Sequence, residues 1–211
     1  MNERPDTLIV EELIAMFGNG IAPHTPFPKP YCLNASNVRA IYLGCDPTNI
    51  HSTSLPYALA LESNLPIFNR FIKGHADSLK QIRLNWHTVY TQNLCQNYFI
   101  KETSNNLDLW NKVAAWWIPE LKKELSQFSS DIPVLMTSEY LYKVLATGKK
   151  HKPIEFYECK ADIPVSAGDS IIGRPLIPFY RHYSYHLSND RWSRYRQSII
   201  NYLDDGPSQR A

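Results

Sequence analysis

Nothing in this chain of 211 residues is apolar for long enough to cross a bilayer. Its amino terminus, Met1-Asn2-Glu3-Arg4-Pro5-Asp6, lacks the basic and apolar regions of a secretory signal. A soluble, intracellular, cytoplasmic protein with no membrane partner is the expectation. Cysteine is scarce. The four residues, Cys32, Cys45, Cys95 and Cys159, form no Cys-x-x-Cys pair, so the local spacing of an iron–sulfur site is missing and no disulfide is expected. Isolated cysteines in apolar segments read as small buried side chains in a reducing compartment. A large excess of one charge is also lacking. The formal net charge of +2 permits a nucleic-acid partner without demanding one. His182 and His186 are four apart, but the aromatics and Ser184 between them read as a loop rather than a helix face. No metal and no cofactor are expected. There is no internal repeat and no low-complexity segment.

What is present is a recurring construction, an apolar run that ends in a chemically active side chain. In Ala40-Ile41-Tyr42-Leu43-Gly44-Cys45-Asp46-Pro47 the run enters a glycine turn and presents a carboxylate. Pro47 restricts Asp46 to extended or turn geometry, which places it on a rigid loop at the end of a strand. Asp-Pro after a strand is also an ordinary turn. Val89-Tyr90-Thr91-Gln92-Asn93 is a second β-prone run ending in an asparagine. Pro175-Leu176-Ile177-Pro178-Phe179-Tyr180 leads to Arg181 and His182. If these strands are parallel, Asp46, Asn93 and His182 gather at one sheet edge, where open α/β folds bind ligands.

The remaining pattern alternates strands with helices. Asp6 or Thr7 is read as the cap of a helix through about Phe17. The proline-rich segment from Ala22 to Tyr31 reads as a stiff, extended connector. A helical stretch from Ile67 to Lys80 is expected to keep its polar residues in solvent. A long helix begins at Asn106 or Asp108, and Trp110, Val113, Trp117, Leu121 and Leu125 give it an apolar stripe that reads as core. Ile132 to Met136 is a third strand, Ser138 to Ala146 a short helix, and Arg191 to Leu203 the closing helix. The whole is predicted to be one α/β domain over residues 1–211, with the amino-terminal helix and connector over 1–37 and the core over 38–203. The fold class is a three-layer α/β/α sandwich around a central, mostly parallel four-stranded sheet. Arg174, Arg181, Arg191, Arg194 and Arg196 crowd the sequence around His182, a candidate phosphate-facing surface or a set of solvated helix arginines.

The ordered motifs resemble those of the uracil-DNA glycosylase superfamily. That family's Gly-Gln-Asp-Pro-Tyr-His is similar to Gly44-Cys45-Asp46-Pro47-Thr48-Asn49 here. Its Gly-Leu-Ala-Phe looks like Ala58-Leu59-Ala60-Leu61, its Leu-Leu-Asn maps onto Asn93, and its His-Pro-Ser-Pro-Leu resembles the segment from His182 to Leu187. The resemblance covers about residues 38 to 203.

It implies a monomeric hydrolase that cleaves the N-glycosidic bond of uracil or a related damaged base in DNA, single- or double-stranded, after flipping the nucleotide out. Asp46 and His182 would be catalytic. Asp46 would stabilise positive charge on the sugar and orient water, and His182 would hydrogen-bond the departing base with Arg181 keeping its pKa from rising. Asn93 would read the base edge, within a pocket formed with Gly44, Cys45, Pro47, Thr48, Asn49 and Leu61. Leu187 would fill the vacated stack, while Ser184, Ser188 and Arg181 contact DNA. The chain departs from the family at informative places. Thr48 stands where a tyrosine crowds a 5-methyl group, and Leu61 where a phenylalanine stacks on uracil, a contact worth roughly 1–3 kcal/mol. Two other readings stay open, a non-catalytic nucleic-acid-binding module with the same fold and a hydrolase of small nucleosides.

Overall fold

The run Ala40–Gly44 forms strand β1, buried at all five positions. Val89–Asn93 forms β2, also buried throughout, and Val134–Met136 and Leu176–Pro178 form β3 and β4. Their order is β2-β1-β3-β4, and every neighbouring pair is parallel. The expected mostly parallel sheet is thus wholly parallel among the residues that this computed structural model describes, 4–47, 54–180 and 189–205.

Burial on both faces explains why these strands read as continuous apolar runs. Side chains alternate across the sheet, and their partners show which helix covers each face. Tyr42 projects to one face, where its hydroxyl meets His75 in α2 (Asn69–Lys80). Tyr90 and Gln92 project to the other, where both donate to Glu124 in α3 (Leu107–Leu125). Helix α1 (Asp6–Phe17) packs on α3. The short α4 (Glu139–Leu145) and α5 (Pro153–Tyr157) follow β3. The closing α6 (Asn189–Asp205) meets the end of α2 through the Trp192 indole N–H, which donates to Gln81 at 2.8 Å. The architecture is an α/β three-layer sandwich. No helix among the described residues is long and apolar enough to cross a membrane.

The chain leaves β1 for β2 on one side and returns across β1 to β3 on the other. The strand order therefore reverses at β1, which puts a crevice at its carboxyl end.

Three local expectations change. Asp6 does not cap α1: Pro5 holds that position without a side-chain bond, and Asp6 Oδ2 instead accepts from the Phe27 N–H at 2.7 Å, tying the connector to the helix. The helix α5 has only five residues, too few to show a helical period in the sequence. Arg174 belongs to no phosphate-facing surface. It precedes β4, is 4% exposed, and donates to the carbonyls of Leu125, Phe128, Ser129 and Ile132. Those carbonyls lie at and just beyond the end of α3, where backbone acceptors lack helical partners. A fork of guanidinium donors satisfies several at once.

Candidate functional site at the carboxyl edge of the sheet

The ladder between β1 and β2 continues past both strands. Leu94 N–H donates to Gly44 O at 2.8 Å and Cys95 N–H to Cys45 O at 2.9 Å. On the other side, Thr137 donates to Leu43 O through its N–H at 3.1 Å and its hydroxyl at 2.8 Å. Cys45 and Asp46 thus leave a strand clamped from two sides, which holds the carboxylate to one position.

Asp46 is mostly buried and sits among poor ionic company. The neighbouring thiols of Cys45 and Cys95 are themselves held protonated, burial pushing Cys45 up to about 12 and Cys95 well above the ordinary range. Desolvation raises Asp46 to about 6. Two groups oppose it. Thr103, in a short 3-10 turn before α3, donates its hydroxyl to Asp46 Oδ1. The indole N–H of Trp110, a fully buried side chain in the first turn of α3, faces the carboxylate and favours its charge. That N–H meets no acceptor at hydrogen-bonding geometry, so its help is electrostatic and the donor stays available.

Asn93 ends β2 directly opposite Gly44. It is 1% exposed, and neither its amide nitrogen nor its amide oxygen has a hydrogen-bond partner among the described residues. A buried amide without partners costs free energy on the order of 1–3 kcal/mol. Such a group needs a partner from outside the fold, a ligand or an ordered water.

The segment over Asn93 is strained. Leu59, Ala60 and Glu62 all take left-handed backbone angles, with φ of 54°, 55° and 57°. None is a glycine, and each such residue costs of the order of 1–3 kcal/mol when local support is poor. The proline-rich connector supplies support. Lys29 exchanges backbone bonds with Pro56 and Ala58, at 3.1 and 2.9 Å, and Tyr31 pairs with Thr91 of β2 through two bonds of 2.9 Å. The connector is extended as expected, and it borders the site rather than merely joining helix to sheet. Leu61 is 3% exposed, so the fold buries it in the core instead of presenting it as a stacking surface.

The structure therefore brings Gly44, Cys45, Asp46, Pro47, Leu61 and Asn93 to one edge of the sheet. Thr48, Asn49, Arg181, His182, Ser184, Leu187 and Ser188 lie outside the described residues, as does His186. Among the other arginines of the expected surface, Arg191 pairs with Glu158 at 3.2 Å and Arg194 with Asp190 at 3.2 Å.

Sequence reasoning missed three residues. Nothing in the polar run Lys101-Glu102-Thr103-Ser104 marks Thr103. Trp110 was read only as core, although it serves both core and carboxylate. His75 was assigned to solvent with the rest of its polar helix. It points inward instead, where burial lowers it to about 4 and the Tyr42 hydroxyl meets its Nδ1. Its place four residues after Phe71 and four before Leu79 was the available signal. Tyr42 and His75 line a cleft of about 890 Å³ between α2 and the ends of β3 and β4.

Among the described residues, no group of three or more His, Cys, Asp and Glu side chains could hold a metal ion. Comparison of the chain with protein-family models and with curated proteins finds no match.

Proposed function

We infer that this protein is a DNA glycosylase-like hydrolase that cleaves the N-glycosidic bond of uracil or a related damaged base. The observation that carries the reading is Asn93, a buried amide with donor and acceptor both unspent among the described residues, set at the same sheet edge as the partly buried carboxylate of Asp46. An amide so placed can donate to O4 of uracil and accept from its N3–H. Cytosine presents the opposite pair, and a fixed amide rejects it.

Cleavage places positive charge on the sugar and negative charge on the departing base. Asp46 is placed for the first of these. Its loop is clamped, its surroundings are dry, and Thr103 fixes one oxygen while leaving the other for a water or the sugar. At neutral pH the group is ionised despite its raised pKa. His182 is assigned to the departing base through the resemblance of its loop.

The buried, aliphatic Leu61 favours a second reading, a nucleic-acid-binding module without catalysis, because no aromatic ring stacks on a base at that position. End-labelled oligonucleotides containing uracil, thymine or hypoxanthine, treated with the protein and then with alkali, decide between the two. Strand breaks with the wild type that vanish in Asp46→Ala support the hydrolase. Salt-sensitive binding without breaks supports the module, and neither result would point to small nucleosides.

A further inference from the structure

The cleft lined by Tyr42 and His75 is roomy. Its volume of about 890 Å³ lies near the top of the range for small-molecule sites. It is also walled by rings. Phe71 stands on α2, Tyr140 on α4, and Phe179 follows β4. Phe71 is 45% exposed, and Ile67, in the 3-10 turn just before α2, is 54% exposed, an apolar outlay beside an otherwise polar helix.

The floor is polar and ordered. Burial keeps the His75 ring neutral. Tyr42, held protonated by the same burial, shares a hydrogen bond with Nδ1, and in the tautomer where it donates there the ring proton sits on Nε2 as a donor. At the rim, Arg70 makes no ion pair among the described residues, while Glu139 is paired with Lys143 at 2.8 Å.

The cleft is joined to the Asp46 loop. Ser138 lines it and faces the Cys45 thiol. Tyr140 lines it and packs on Trp110, with ring centroids 6.3 Å apart, and Trp110 faces Asp46. Ser138 and Tyr140 thus connect the cleft lining to the loop that carries Asp46.

We propose that this cleft holds an unpaired base of the same DNA strand, adjacent to the nucleotide engaged at Asp46, so that single-stranded DNA is the substrate. Exposed Phe71 offers the stacking face, His75 Nε2 a donor to the base edge, and Arg70 a cation for the backbone phosphate. In a duplex the neighbouring base stays stacked and paired, and it cannot enter. The assignment rests on the glycosylase-like reading, but it can fail separately.

The test is anisotropy of a fluorescein-labelled thymine 11-mer carrying one uracil, titrated with the full chain, beside the same sequence as duplex and as RNA. The single DNA strand is expected to bind at least tenfold tighter than the duplex. Phe71→Ala should weaken single-strand binding by roughly 5- to 150-fold, and Phe71→Trp should restore it, since stacking needs a ring rather than that particular side chain. Arg70→Gln should lower the slope of log affinity against log salt by about 0.7, with Phe71→Ala leaving the slope unchanged. Equal binding of strand and duplex, no effect of Phe71→Ala, or preference for RNA would each overturn the proposal. Uracil release measured in parallel separates the two readings. Release that is insensitive to Phe71→Ala leaves the glycosylase and removes the cleft; ring-dependent single-strand binding without release does the reverse.

Discussion

Gly44 and Asn93 face each other across β1 and β2, and a β-carbon on Gly44 would lie 2.4 Å from the Asn93 amide oxygen and 2.6 Å from Leu59 Cδ2. The glycine is there because two other side chains occupy its space. Gly44→Ala is expected to displace the Asn93 amide and the strained turn above it. A destabilisation of about 1–3 kcal/mol should follow, as for other overpacked sites, read as a lower midpoint in urea. Base release should fall further than stability alone explains.

Among the described residues Asn93 makes no side-chain hydrogen bond for the fold to lose. Asn93→Leu, close in shape, should leave thermal stability unchanged or raise it, since two unpaired polar atoms leave the interior. The same change should cost base release about 100-fold or more and abolish discrimination between uracil and cytosine. A large drop in Tm with selectivity retained would mean that Asn93 is structural.

Asp46 carries the opposite trade. Its folded pKa of about 6 lies above the ordinary 3.8 of an unfolded chain, so the native state binds more protons between those values. Stability is then highest below pH 3.8 as far as this group is concerned, and it declines as pH rises through 6. Asp46→Asn should remove that cost and raise stability at pH 7.5 by about 1–3 kcal/mol, with no gain at pH 4. Calorimetric scans of both proteins at the two pH values check it.

The same raised pKa sets the acid limb of activity. Base release should fall tenfold per pH unit below about pH 6, as Asp46 takes up its proton. Thr103 donates to the charged carboxylate, so Thr103→Val should move that limb upward by about one unit. An unmoved limb would place the titrating group elsewhere.

Arg174 provides a contrast with the surface arginines. Removing its guanidinium leaves four backbone carbonyls near the end of α3 without their donor. Arg174→Ala should destabilise by about 2–4 kcal/mol, while the salt dependence of DNA binding stays as in the wild type.

The sheet and its carboxyl edge were legible because burial on both faces writes strands as unbroken apolar runs. The runs ending at Gly44 and Asn93 stop at those residues in the structure. The stripe from Trp110 to Leu125 likewise gave α3, since every turn returns a side chain to the core. Long-range polar contacts leave no such periodic trace. Thr103 reaches Asp46 across 57 positions and Arg174 reaches Leu125 across 49, and neither has a neighbour that announces the pairing. The cleft was illegible for the same reason: Phe71, Tyr140 and Phe179 come from three elements that meet only in the folded chain.

The most direct test is the single-turnover rate of uracil release from a single-stranded oligonucleotide at pH 7.5, wild type against Asp46→Asn. A charged, clamped carboxylate beneath the sugar predicts release by the wild type and a loss of about 1,000-fold or more in the variant, with oligonucleotide affinity kept within a few fold. Release that persists in Asp46→Asn, or no release by the wild type, would contradict the account.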